Sequence, residues 1–458
     1  MPARPRGRIG RPPPVEEPPV ERIYAGRILR RGRITPAEIG VDGDGIIRRV
    51  AKDLRGAPRQ DFGEGILLPS GVDLHVHFRD PSPPGAVEDL STGTVQAALG
   101  GIAAVVDMPN TDPPITTLAR LEEKIARIPA RAFVDVLPYA AVTTRERIPL
   151  LAPRAAGFKL YLSPTTGDIP PPAGEEIPGL LTEIAGTGLP LHVHAEDPSS
   201  FAQGKAPREP REWDLARPPE SEESALRGIL KGPDHLRLHV AHVTTTKAAQ
   251  MVREWGGSFE ATPHHLLLST SRIRNAMGKV NPPLRTEERR RELWEEFRAG
   301  KIPVLASDHA PHPLGEKETR FDLAPAGVPG VETMLPLLLE RVRAGEIELG
   351  TLWRAASRRP GLFLGLPWGR IAPGYEANLL VVDFRQRRRI SARSLHAPCG
   401  WTPYEGWEGI FPVEHHLRGE RIVEDGEFVG RRRGRVRRPF EPESPRRPPA
   451  AAQGPRDR

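Results

Sequence analysis

Eight apolar runs of strand length punctuate the chain between Gly65 and Ala310, each separated from the next by a segment long enough to hold a helix. They read GILLPSGVDLHVH, GIAAVVDMPN, AFVDVLPYAAV, GFKLYLS, LPLHVHAED, LRLHVAHVT, SFEATPHHL and IPVLASDHA. Near-continuous Val, Leu, Ile and Ala content suits strands covered on both faces, the condition of a parallel sheet. Eight strand–helix units in a row close into a barrel. The spacing therefore predicts an α/β fold, a (β/α)8 TIM-like barrel over residues 65–369. Polar residues gather at the C-terminal end of nearly every run, the face on which such barrels build their sites.

The flanks have a different texture. ERIYAGRILRRGRITPAEIGVDGDGIIRRVAKDL before the barrel, and GRIAPGYEANLLVVD and LRGERIVEDGEFVG after it, read as short strands separated by Gly and Asp turns. Residues 22–64 and 370–430 are expected to pair into one small discontinuous β-domain. Residues 1–21 and 431–458 are rich in Pro and Arg, and carry too little apolar surface to offset the entropy of ordering. Both are expected to be disordered tails.

The formal charge of +7 invites a nucleic-acid reading, but residues 431–458 hold ten arginines against three acidic residues, which accounts for all of it. The basic character belongs to a tail and not to a groove, so no nucleic-acid partner is indicated. The single cysteine, Cys399, excludes an internal disulfide and thiolate-rich zinc sites. Any metal must be held by His, Asp, Glu or a modified Lys. The chain has no run of eighteen apolar residues, and MPARPRGRIGRPPPVEEPP lacks the apolar core of a signal peptide. A soluble, cytoplasmic protein with no membrane partner is expected.

Within the first run, His75, His77 and Arg79 stand at alternate positions, so a strand would project two imidazoles and a guanidinium from one face. Two imidazoles that close form a metal chelate. Lys159 in GFKLY, His194 in HVHAED, His242 in AHVT and Asp308 in ASDHAPH follow at or near the ends of later runs. Singly each has an ordinary reading: a satisfied core histidine, a snorkelling lysine, a helix-capping aspartate. The ordinary reading of Arg79, a surface ion pair with Asp80, is the weaker one, and Asn281 could be no more than a turn residue before Pro282. His192, His264 and His265 are read as packing or support. The weight lies in the joint occurrence and order.

With GVDLHVHFRDP, VVDMPNT, GFKLY, VHAED, AHVTT, TPHHL, NPPLR, ASDHAPH and the late GVPGVETMLPLLL, the chain resembles the amidohydrolase superfamily, and within it the dihydroorotases, across residues 22–430. The resemblance implies a hydrolase of cyclic amide C–N bonds that interconverts dihydroorotate and N-carbamoyl aspartate in pyrimidine synthesis. It implies two zinc ions per subunit, His75 and His77 with Asp308 on the first and His194 and His242 on the second, bridged by carboxylated Lys159. Asp308 would also carry the catalytic proton. Arg79 and Asn110 would hold the substrate carboxylate, and Asn281 and His312 would contact the ring or the carboxylate. A homodimer, and association with a transcarbamoylase, are the partners the resemblance suggests.

The chemistry agrees. An ammonium between two divalent cations would be repelled, whereas a carbamate offers two anionic oxygens. Zinc lowers the pKa of bound water from about 15.7 to about 7, and a guanidinium matches a carboxylate with a planar fork. One departure is local: the glycine usual after RDP is displaced in RDPSPPGAVEDLSTGT, which puts the geometry of the loop beside Arg79 in question. Two alternatives remain. An allantoinase, dihydropyrimidinase or hydantoinase would share the metal ligands, although Arg79 with Asn110 favours a substrate bearing a carboxylate. A non-catalytic scaffold homologue would be expected to have lost ligands, and none is lost.

Overall fold

The computed structural model describes residues 18–30, 33–81, 87–165 and 167–440. Each of the eight runs contains a strand: β1 Gly71–Val76, β2 Ile102–Asp107, β3 Asp135–Ala141, β4 Gly157–Tyr161, β5 Leu191–His194, β6 Leu238–Val240, β7 Ser258–Ala261 and β8 Val304–Leu305. Each lies parallel to its sequence neighbours. The chain just beyond β8 closes the ring, because His309 bridges Val76 in parallel and its carbonyl accepts the His77 amide at 2.8 Å. The result is the predicted (β/α)8 barrel.

The helices between strands bury one face on this ring. In Leu118–Arg131, Thr117 caps the N-terminus by accepting the Arg120 amide, and Leu121, Lys124 and Ile128 are the residues turned inward. Lys124 is the informative exception to an apolar face. Its ammonium pairs with Asp107 at the end of β2 and bonds the Asp80 carbonyl, while Asp107 also accepts the Phe78 amide at 3.1 Å. A buried charge pair therefore fixes the loop that follows β1, where the HxHxR motif leaves the strand.

The two chain ends meet in one eight-stranded sheet. Arg59–Pro69 runs parallel to Arg22–Arg30 and antiparallel to Leu379–Val382, with Leu68 opposite Leu380. This is the discontinuous β-domain expected from the flanks, but its limits differ from those read in the sequence in three places. The run GILLPSGVDLHVH is two strands. Ile66–Pro69 belongs to the sheet and Gly71–Val76 to the barrel, so the division falls at Ser70 and not at residues 64/65. Ser70 is held at this corner by its amide to the Asn378 carbonyl and by its carbonyl to Ser357. Residues 388–411 leave the sheet and pack on the barrel: Trp401 Nε1 donates to the His312 carbonyl at 2.8 Å and His396 bonds Glu332.

The third correction concerns the basic tail, read as disordered from residue 431. Residues 431–440 dock against the N-terminal end of the barrel strands. Gly434 donates to the Ala132 carbonyl, Val436 bridges Val136, and Phe440 donates to the Leu364 carbonyl. The arginines there do not simply face water: Arg437 pairs with Glu376 at 2.9 Å and Arg438 bonds the carbonyls of Ala152 and Ala155. Residues 1–17 and 441–458, and residues 82–86 of the altered loop, lie outside the described residues. Asp135, the first residue of β3, is fully buried, and Arg418 meets both of its oxygens at 2.9 Å. Arg418→Ala is expected to cost about 3 kcal/mol or more, because a buried carboxylate loses its main partner. A lower urea midpoint at unchanged slope would record it.

Candidate active site

The strand ends bring the predicted ligands into one cavity at the C-terminal face. His75 stands in β1 and His77 just beyond it, Lys159 is in the middle of β4, His194 ends β5, and His242 and Asp308 follow β6 and β8. His77 Nε2 lies 3.1 Å and His75 Nε2 3.4 Å from Asp308 Oδ1. Lys159 Nζ lies 3.2 Å from His75 Nε2, and His194 Nδ1 lies 3.0 Å from His242 Nε2. Arg79, Asn110 and Asn281 line the same cavity, with Tyr161, Thr165, Ala310, Ala326 and Gly327. His312 lies beside it, with Nε2 3.1 Å from the carbonyl oxygen of Ala326 on the cavity wall. Arg79 does not pair with Asp80, whose carboxylate is taken by Arg127 and Arg131. Its Nη1 bonds the Asn110 carbonyl at 3.2 Å.

Three site residues hold a backbone conformation that side chains other than glycine seldom adopt: Arg79, His242 and Asp308 have φ of 58°, 37° and 46°. Such positions persist where the surroundings over-determine them.

The outward nitrogens explain which way the imidazoles face. His75 Nδ1 is 2.5 Å from Glu260, His77 Nδ1 is 2.5 Å from Asn110 Oδ1, and His194 Nε2 is 2.7 Å from Glu196. Arg217 in turn grips Glu196 at 2.6 and 3.1 Å. Each imidazole that donates its proton outward presents a lone pair inward, the arrangement found around metal-binding histidines. Two pairs of nitrogen lone pairs, one carboxylate oxygen and a lysine between them are a donor set that fits two divalent ions. His75, His77 and Asp308 lie close enough together to share one ion.

The pattern that defines the amidohydrolase family matches residues 66–404. This chain belongs to the amidohydrolase family. The dihydroorotase of Halobacterium salinarum is 36% identical to this amidohydrolase over 90% of the chain and 99% of that protein. The dihydroorotase of Pyrococcus abyssi is 34% identical over 91% and 98%. Among solved structures, the L-hydantoinase of Arthrobacter aurescens superposes with a TM-score of 0.83 at 26% identity, covering 91% of this chain and 99% of its own. The dihydropyrimidinase of Brevibacillus agri, 24% identical with a TM-score of 0.82 over 92% and 99%, shares the fold.

Burial sets the proton inventory of the amidohydrolase site. It lowers the Lys159 ammonium to about 8, against the opposing charges of Glu260 and Asp308, so a neutral amine is accessible near neutral pH. It lifts the Asp308 carboxyl to about 7, with Lys159 opposing. His75, His77 and His242 are held well below their ordinary value by burial and then by neighbouring cations and imidazoles, which keeps them neutral.

A pH dependence follows for the metal-free protein. Nine histidines, including these three, are shifted down on folding, and the unfolded chain would protonate them as pH falls through about 6.5. They outnumber the five buried carboxyls shifted up, Asp73, Asp135, Asp214, Glu222 and Asp308, which act in the opposite sense. The unfolded state then binds more protons, so stability falls with falling pH. Denaturant titrations at pH 5.5 and 7.5 should give the lower midpoint at 5.5.

Sequence reasoning missed Glu260, Glu196 and Arg217. Glu260 left a signal, a carboxylate inside the short run SFEA, where an uncompensated charge has no place in a barrel core. Arg217, the partner of Glu196, lies 21 residues away just past the end of a helix and left none.

Proposed function

We propose that this amidohydrolase is a dihydroorotase, adding water to the cyclic amide of dihydroorotate to give N-carbamoyl aspartate and closing the same ring in reverse, as a cytoplasmic step of pyrimidine synthesis. The observation that carries the choice of substrate is Arg79, on the cavity wall beside His77 and within 3.2 Å of the Asn110 carbonyl. A guanidinium and a carboxamide on one wall suit a ring that bears a carboxylate. The names of the relatives point the same way.

His75, His77 and Asp308 would hold one zinc ion, His194 and His242 a second, with Lys159 as its carbamate between them. Two ions bound there supply an activated water at neutral pH and draw electron density from the amide carbonyl. The chain's own residues do the rest. Arg79 and Asn110 fix the ring carboxylate, and so the face of the carbonyl that is offered to water. Asn281, which lines the same cavity, orients the ring. Asp308 takes a proton from the attacking water and delivers it to the ring nitrogen as the C–N bond breaks. In the closing direction it removes that proton from the ureido nitrogen and gives it to the hydroxyl that leaves as water from the side-chain carboxyl, which takes up its other proton from solution. His312, beside Ala326 at the cavity wall, would contact the ring or its carboxylate.

Turnover of dihydroorotate, allantoin and hydantoin measured side by side, with zinc determined on the same preparation, tests the reading. Dihydroorotate alone should turn over, with two zinc ions per chain. Hydrolysis of hydantoin or allantoin in its absence would move the enzyme to the sister activities of its structural neighbours.

A further inference from the structure

We propose that Glu260 is the positioning residue for both halves of the metal site, a buried anion that aims His75 and the strained His242 backbone and offsets the charge of the bound ions. The inference rests on the reading above that His75 and His242 are ligands. Glu260 lies in β7, on the barrel interior, and is completely buried. Its Oε1 accepts from His75 Nδ1 at 2.5 Å and from the backbone amide of His242 at 3.3 Å, and its Oε2 accepts from His239 Nε2 at 2.8 Å. One carboxylate thus reaches a ligand assigned to each ion.

The contact with His242 matters because that residue holds φ of 37°, which an unsupported chain would abandon. The contact with His75 fixes its tautomer and strengthens its inward lone pair. His239 is itself anchored, with Nδ1 2.9 Å from Ser258 Oγ, so the chain from Ser258 through His239 and Glu260 to His75 has a fixed sense. His192 also stands near Glu260 and His239, closely enough that the three could hold an ion of their own. The hydrogen bond between His239 and Glu260, together with the engagement of Oε1 by His75, favours the relay over a third ion. An ionised carboxylate sealed in a barrel core is costly unless a cation lies close, and ions at His75 and His242 would supply it.

The test is zinc affinity of the full-length protein, measured as metal content at equilibrium with graded chelator, for wild type, Glu260→Gln and Glu260→Asp. Gln keeps the shape and removes the charge; Asp keeps the charge and draws the oxygens away from His75 and His242. In Glu260→Gln the free zinc needed for half-occupancy should rise about tenfold to a hundredfold, with the thermal midpoint of the metal-free protein at the wild-type value. A purely structural residue would instead lower that midpoint and leave zinc affinity alone. A folded Glu260→Gln that binds zinc as tightly as wild type overturns the proposal. Should that variant not fold, wild-type affinity in Glu260→Asp overturns it. Three ions in wild type would also overturn it, since Glu260 would then be a ligand. Wild type that binds no zinc defeats the underlying dihydroorotase reading, and this inference with it.

Discussion

Lys159→Gln is expected to lower dihydroorotate turnover by about a thousandfold or more and to reduce zinc from two ions per chain to one or none. The magnitude follows from losing several kcal/mol of metal-assisted stabilisation at 1.36 kcal/mol per tenfold. Lys159 is fully buried with Nζ 3.2 Å from His75 Nε2, and among the described residues no other lysine lines the cavity. Its neutral amine can take up CO₂; glutamine cannot, and its amide offers one weak oxygen donor where a carbamate offers two anionic ones. Lys159→Ala separates this reading from simple misfolding. It leaves space beside His75 Nε2, 3.2 Å from the present ammonium, and added acetate or formate could place two oxygens there. Partial return of activity with added carboxylate would identify the missing group as an anion. Full activity in Lys159→Gln would remove the bridge from the chemistry altogether.

The parts of this protein that could be read from its sequence are those in which each residue carries its own instruction. A strand covered on both faces must be apolar along its length, so β1 to β8 announced themselves, and a histidine, lysine or aspartate at the end of such a run has little reason to be there except to face a common centre. What could not be read depends on a partner elsewhere in the chain. Ser70 looks like one polar residue in a long apolar run, and only Asn378 and Ser357 make it a corner between two domains. The arginines after residue 430 have the composition of a solvated tail, but Glu376 and the carbonyls beneath the barrel give several of them something to bind. His312 meets the carbonyl of Ala326 on the cavity wall, a neighbour that its place in DHAPH does not announce.

Arg79→Met is expected to separate substrate recognition from metal binding. Arg79 donates no metal ligand, and the histidines keep their outward partners Glu260, Asn110 and Glu196 without it, so zinc content should stay at the wild-type level. What is lost is the charged hydrogen bonding to the ring carboxylate, which would leave that carboxylate desolvated beside a thioether. Breaking a charge pair of this kind costs at least about 2 kcal/mol, and kcat/KM for dihydroorotate should fall by at least about thirtyfold at 1.36 kcal/mol per tenfold. Arg79→Lys should recover only part of it, because an ammonium supplies the charge without the planar fork. The loop that presents residue 79 is tied down independently, by Lys124 on the Asp80 carbonyl and Arg127 on the Asp80 carboxylate, so neither substitution should move the cavity wall. An Arg79→Met protein with two zinc ions and undiminished dihydroorotate turnover would mean that the carboxylate binds elsewhere. The argument for dihydroorotate over an uncharged ring would then lose its physical basis.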